Sequence, residues 1–85
     1  MIKTRSFILR SKQRVSILKT LSAEKTPTQI VDETKLAISH VSRTLNEFKK
    51  EKIVECLTPR EKIGRIYQLT KKGRQVLKKI YEMEG

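Results

Sequence analysis

Two helix-forming stretches separated by only three residues, 35–37, constrain this chain more than any other feature. The first stretch marks its own start. Thr26 can cap free amides, Pro27 suits the first helical position because its missing N–H is not needed there, and Gln29 is spaced to bond back to the cap. Ile30 and Val31 supply a buried face, and the segment ends around Thr34. The second stretch, residues 38–52, sets Ile38, Val41, Leu45 and Phe48 along one side of a helix. Ser39, Arg43, Asn46 and Lys50 fall nearly opposite, with His40, Ser42 and Glu47 on the flanks.

The gap between them has helix-turn-helix length. Lys35 stands where such turns often use glycine, so a left-handed backbone there would carry strain. A helix with one oily and one polar, basic side can dock and read at once. The oily side is held in a core while short hydrogen-bonding side chains and a guanidinium point outward, which a DNA major groove about 12 Å wide can admit. The competing reading of the same stripe is a solvated charged face, which many amphipathic helices present.

Charge bears on that choice. The 85 residues include 20 Lys and Arg against 9 Asp and Glu, a net charge of +11 that attracts polyanions. Before Ala23 the chain has six bases, Lys3, Arg5, Arg10, Lys12, Arg14 and Lys19, and no acid. Nucleic acid is the expected partner. A membrane surface fits less well, because no single long helix pairs a basic face with a Trp/Phe/Leu face. The apolar run 7–9 falls short of the about 7 to 15 residues of a signal peptide, and no stretch approaches the about 18 of a membrane span. A cytoplasmic location is expected. So short a chain buries only a modest core, so no small-molecule effector pocket is expected.

The remaining segments complete one domain, 1–85. Ser11 is a good N-cap for a helix carrying Val15, Leu18 and Leu21 at spacings of three, widened by Ile17. Residues 1–10, with Phe7, Ile8 and Leu9, either extend that helix backwards or form an arm packing on the body. Past residue 52 the hydrophobic period changes from 3.6 to 2, and Val54, Cys56 and then Tyr67, Leu69 mark two strands. Pro59 would spoil a central strand and Gly64 frees the backbone to turn, so residues 58–65 read as a loop with a basic tip. Thr70 caps a last helix, 70–85, in which Val76, Leu77, Ile80, Tyr81 and Met83 cover more of the circumference than one small domain requires.

No catalytic or metal chemistry is legible. Cys56 stands alone, so it forms no internal disulfide and reads as a small buried hydrophobe. His40 is the single histidine, and no Gly-rich, His-rich or paired-carboxylate motif suggests a nucleophile, phosphate cradle or metal site. Neither enzyme activity nor a cofactor is expected.

The fold class is thus mainly α with a β-hairpin, and its order and wording carry a resemblance. Thr26-Pro-Thr-Gln-Ile30, Ile38-Ser-His-Val-Ser-Arg-Thr-Leu45, Lys52-Ile-Val-Glu-Cys-Leu57 and Gly64-Arg-Ile-Tyr-Gln-Leu-Thr-Lys-Lys-Gly73 resemble winged helix-turn-helix regulators of the MarR/ArsR type, especially small archaeal ones. The likeness spans Ser11 to Gly73. It implies a three-helix core, a third helix in the major groove, a hairpin wing along the backbone or minor groove, and terminal helices that build a two-fold dimer. Phe7, Ile8, Val76, Ile80, Tyr81 and Met83 are then the expected dimer contacts.

Chemistry suggests the individual roles. Arg43 can bond two acceptors of a guanine edge at once, or else a phosphate. Ser39, His40 and Ser42 lie in a first turn that favours an anion, so phosphate and base contacts are both open to them. Asn46 can pair with adenine or reach only backbone. Thr28, Gln29, Lys49 and Lys50 suit phosphate positioning, Gln29 with capping as its other role. Arg60, Lys62 and Arg65 are the wing's candidates for DNA. Three functions stay open at this level: a sequence-specific transcriptional regulator, a protein-docking module of a transcription or replication complex, and a non-specific nucleic-acid binder.

Overall fold

The computed structural model describes residues 7–84. In chain order these form α1 (Lys12–Thr20), α2 (Pro27–Thr34), α3 (Ile38–Lys50), β1 (Val54–Cys56), β2 (Tyr67–Leu69) and α4 (Lys71–Glu84). Residues 1–6 of the N-terminal arm, and with them Lys3 and Arg5, lie outside the described residues.

Three of the four named helices start at a side-chain cap. Ser11 accepts from the Arg14 amide, and Thr26 with Gln29 closes a full capping box, with Pro27 in the first turn. Thr70 Oγ1 accepts from the Gly73 amide at 3.1 Å and so caps α4. Residues 7–9 are helical but separate from α1, ending in a Ser11 N–H to Ile8 carbonyl bond of 3.2 Å. They therefore form a packed arm. Ile8 is fully buried, and the Phe7 ring meets Phe48 edge-on at 6.4 Å. Arg14 locks this arm down, its guanidinium 4.1 Å from the Phe7 ring centre while donating to the Phe7 carbonyl and pairing with Glu47.

The helix ends explain two unusual lysines. Lys35 closes α2 in the left-handed region at φ 62°, its N–H bonded to the Val31 carbonyl, so the turn adopts the conformation that glycine would take more cheaply. Lys52 does the same after α3, at φ 61°. There the Ile53 N–H reaches the Phe48 carbonyl and the Lys52 N–H the Lys49 carbonyl, a Schellman pattern, with Ile53 and Phe48 both fully buried. That motif stops α3 at Lys50, two residues short of the expected end, and turns the chain into β1.

The hairpin pairs Val54 with Leu69, Glu55 with Gln68 and Cys56 with Tyr67, antiparallel. Val54, Tyr67 and Leu69 are buried and Cys56 is half-buried, as a period of 2 requires. Lys25 adds an isolated bridge to Tyr67, with reciprocal bonds of 3.0 and 2.8 Å. The sequence reads there only as a break, because one residue of pairing has no periodicity to detect.

One core unites these elements, including Ile17, Leu18, Leu21, Ile30, Val41, Leu45, Phe48 and Ile53, closed from the far side by Val76, Leu77 and Ile80. This corrects two expectations. Ile38 is 52% exposed, and Thr44, fully enclosed, completes the buried stripe of α3 in its place. Ile8, Val76 and Ile80, expected as dimer contacts, are covered by their own chain, and Phe7 is largely so; Tyr81 and Met83 alone of that set lie open, 48% and 59% exposed.

Candidate nucleic-acid interface

Buried Val41, Thr44, Leu45 and Phe48 fix how α3 is rotated, and that rotation decides which side chains emerge. Ser39, Ser42, Arg43, Asn46, Lys49 and Lys50 all point to solvent. Thr28 and Gln29, exposed at the start of α2, lie beside them, Gln29 with its amide oxygen already accepting from the Thr26 N–H at 2.9 Å. On the other side stands the wing, residues 58–65, with Arg60, Lys62 and Arg65 exposed. A groove lined by Thr28, Ser42, Asn46, Lys62 and Arg65 joins the three elements into one face.

The wing is shaped by a few local bonds. Thr58 Oγ1 accepts from the Ile66 N–H at 3.0 Å, and a turn bond runs from the Glu61 N–H to the Thr58 carbonyl. Arg65 Nε donates to the Glu61 carbonyl, and Gly64 takes φ 72°, the left-handed value that lets the tip reverse. The tip also carries Ile63, 89% exposed, an aliphatic set among charges.

Acids hold cations elsewhere. The described ion pairs are Arg14–Glu47, Lys19–Glu84, Lys25–Glu33 and Lys79–Glu82. None uses Arg43, Lys49, Lys50, Arg60, Lys62 or Arg65, so these cations have no ion-pair partner within the described residues, and in the wing Glu61 is a single exposed acid among three bases. Two of the six early bases, Arg14 and Lys19, are spent on packing and pairing instead.

His40 sits less openly than Ser39, Ser42 and Arg43 on α3. Its ring is half-buried in a cleft with Ser11, Arg14, Thr44 and Glu47; Arg43 Nη2 lies 3.4 Å from its Nδ1, and its Nε2 is covered without a partner. If Nδ1 accepts from Arg43, the covered Nε2 carries the proton. The half-buried His40 ring thus lies against the Arg43 guanidinium.

The start of α3 differs from the others in a useful way. Ala37 occupies its N-cap and offers no side-chain bond, leaving the first-turn amides uncapped by protein at the exposed face. A second concavity, open and mostly apolar, about 710 Å³, lies on the opposite side between α4 and residues 21–24, lined by Leu21, Leu69, Leu77 and Tyr81 with Arg74 and Lys78. Among the described residues no group of His, Cys, Asp and Glu is arranged to hold a metal ion, and no helix is long and apolar enough to cross a membrane.

A family model described as the HVO_A0261 N-terminal domain matches residues 2–85. The chain belongs to that family. No curated protein sequence matches this HVO_A0261 N-terminal domain chain. Among solved structures, reduced MarR from Escherichia coli is similar at 22% identity and TM-score 0.75, over 84% of this chain and 54% of MarR. A mutant E. coli MarR complexed with operator DNA gives 22% and 0.73, over 84% of this chain and 53% of that one. The transcriptional repressor BigR from Xylella fastidiosa gives 22% and 0.75, over 96% and 81%. These likenesses establish the winged helix-turn-helix fold of the MarR type for this HVO_A0261 N-terminal domain. The chain spans about half the length of the MarR structures it matches.

Proposed function

We propose that this chain binds double-stranded DNA sequence-selectively and acts as a transcriptional regulator, with α3 in the major groove and the wing on the adjacent backbone or minor groove. One observation carries the reading: the α2 start, the open side of α3 and the wing converge on a single face whose cations have no acidic partner among the described residues. A similar fold in a mutant MarR is complexed with operator DNA. Arg43 reads a guanine edge, and Asn46 follows it one turn on. Ser39, with the uncapped amides of α3, holds a phosphate at the helix start, and Ser42, one turn on, faces the base edges. Thr28, Gln29, Lys49 and Lys50 position the backbone, and Arg60, Lys62 and Arg65 extend the contact from the wing.

Selection of bound duplexes from a random pool tests this. Enrichment of one motif, with affinity falling steeply with salt, supports it. Equal binding of scrambled and selected sequences leaves a non-specific binder, and negligible affinity at low salt leaves a docking module.

The open groove along α4, with Tyr81 in its lining, favours a two-fold dimer as the acting form, and Met83 is exposed further along the same helix. Two copies then place their α3 helices on half-sites about 34–36 Å apart or a multiple of that, and the selected motif is a pseudo-palindrome.

A further inference from the structure

Ile38 is the one large apolar side chain that α3 leaves open among the described residues. It stands at the first position of the helix, where helix-turn-helix proteins bring side chains to base edges. Ile38, Ser42 and Asn46 are four apart, so they form one ridge, and all three line the groove bounded by Thr28 on one side and Lys62 and Arg65 on the other. The wing's Ile63 lines the same groove yet leaves Ile38 52% exposed, so the chain's own apolar tip does not cover it. The ridge therefore presents, in order, an aliphatic group, a hydroxyl and an amide. The edges exposed in a major groove offer hydrogen-bond donors and acceptors and a single apolar feature, the 5-methyl group of thymine.

We propose that Ile38 is a specificity-determining residue that reads a thymine 5-methyl group in the major groove, while Ser42 and Asn46 address the polar edges next to it. The inference rests on the duplex-binding reading above and deepens it. Ile38 buries more apolar surface against a methylated pyrimidine than against a bare C5–H, so it favours thymine at one position of each half-site without forming a hydrogen bond. A phosphate contact cannot sense that methyl group.

The test uses the full chain and the duplex selected above. Each thymine of the half-site is replaced singly by deoxyuridine, which removes the methyl group and keeps every hydrogen bond, and dissociation constants are measured by fluorescence anisotropy for the parent and Ile38→Ala. The expected result is one thymine whose replacement weakens the parent about fourfold, the worth of one buried methyl group, and leaves Ile38→Ala unaffected. Ile38→Val, which keeps a branched aliphatic surface, retains part of the effect and serves if the alanine variant folds poorly. A parent indifferent to every thymine methyl, or methyl sensitivity that persists undiminished in both variants, overturns the inference while leaving duplex binding standing. A parent that binds no duplex overturns both.

Discussion

Adding a single methyl group at Gly73 should loosen the seam between the C-terminal helix and the root of the wing. Gly73 is buried in the first turn of α4, and a Cβ built there would lie 2.1 Å from the Ile53 carbonyl oxygen and 3.1 Å from its carbon. The obstacle is backbone and is pinned. Ile53 O accepts from the Thr70 N–H at 2.9 Å and from Thr70 Oγ1 at 3.1 Å, and the same hydroxyl reaches the Lys52 carbonyl at 2.6 Å. For Gly73→Ala to fit, α4 must retreat by about 1 Å, a strain of about 1–3 kcal/mol, and weaken Thr70 bonds worth about 1 kcal/mol each. Against this stands about 1 kcal/mol gained by replacing a helical glycine with alanine. The net loss is about 3 kcal/mol, a fall in Tm of about 12–24 °C for a domain of this size. Thermal unfolding followed by far-ultraviolet circular dichroism measures it, with Gln75→Ala on the exposed side of α4 as the control, expected within about 0.5 kcal/mol of the parent. A Gly73→Ala protein as stable as the parent, or more so, refutes the close approach.

Lys52→Gly should raise stability by about 0.5–1 kcal/mol, because glycine relieves the left-handed backbone at φ 61° while adding some freedom to the unfolded chain; a lower melting temperature would contradict the cap. Arg43→Ala should lose about 1–3 kcal/mol of discrimination between selected and random duplexes, whereas Lys62→Ala weakens all sequences alike and lowers the salt slope by about 1. Equal loss on both duplexes for both variants rejects the division of labour. Replacing Tyr81 and Met83 together by Glu should convert a dimer to a folded monomer in sedimentation, since both side chains are exposed and the core does not depend on them; a parent already monomeric at micromolar concentration rejects the dimer.

Local chemistry made the helices legible. Ser11, Thr26 and Thr70 each cap where their sequence context indicated, and the step from a period of 3.6 to 2 located the hairpin, because burial on one face imposes both patterns. What depends on neighbours distant in sequence was not legible. Periodicity put Ile38 in the stripe, but at the first turn of α3 no preceding turn covers it, and Thr44 faces the core by rotation of the helix as a whole. The apolar excess of α4 suggested a partner, yet Val76 and Ile80 close this chain's own core, a fact visible only once Gly73 lets α4 approach Ile53. Charge sums likewise could not separate Arg14, locked between Phe7 and Glu47, from Arg43, which no acid engages among the described residues.

Amide chemical-shift mapping of the 15N-labelled chain, titrated with its selected duplex, tests the central claim most directly. Perturbations should concentrate on Thr28, Ser39, Ser42, Arg43 and Asn46 and on residues 60–65, and leave the outer face of α4 unchanged at matched dimer concentration. Shifts gathered instead along Arg74, Lys78 and Tyr81, with the α3 face silent, would contradict the account.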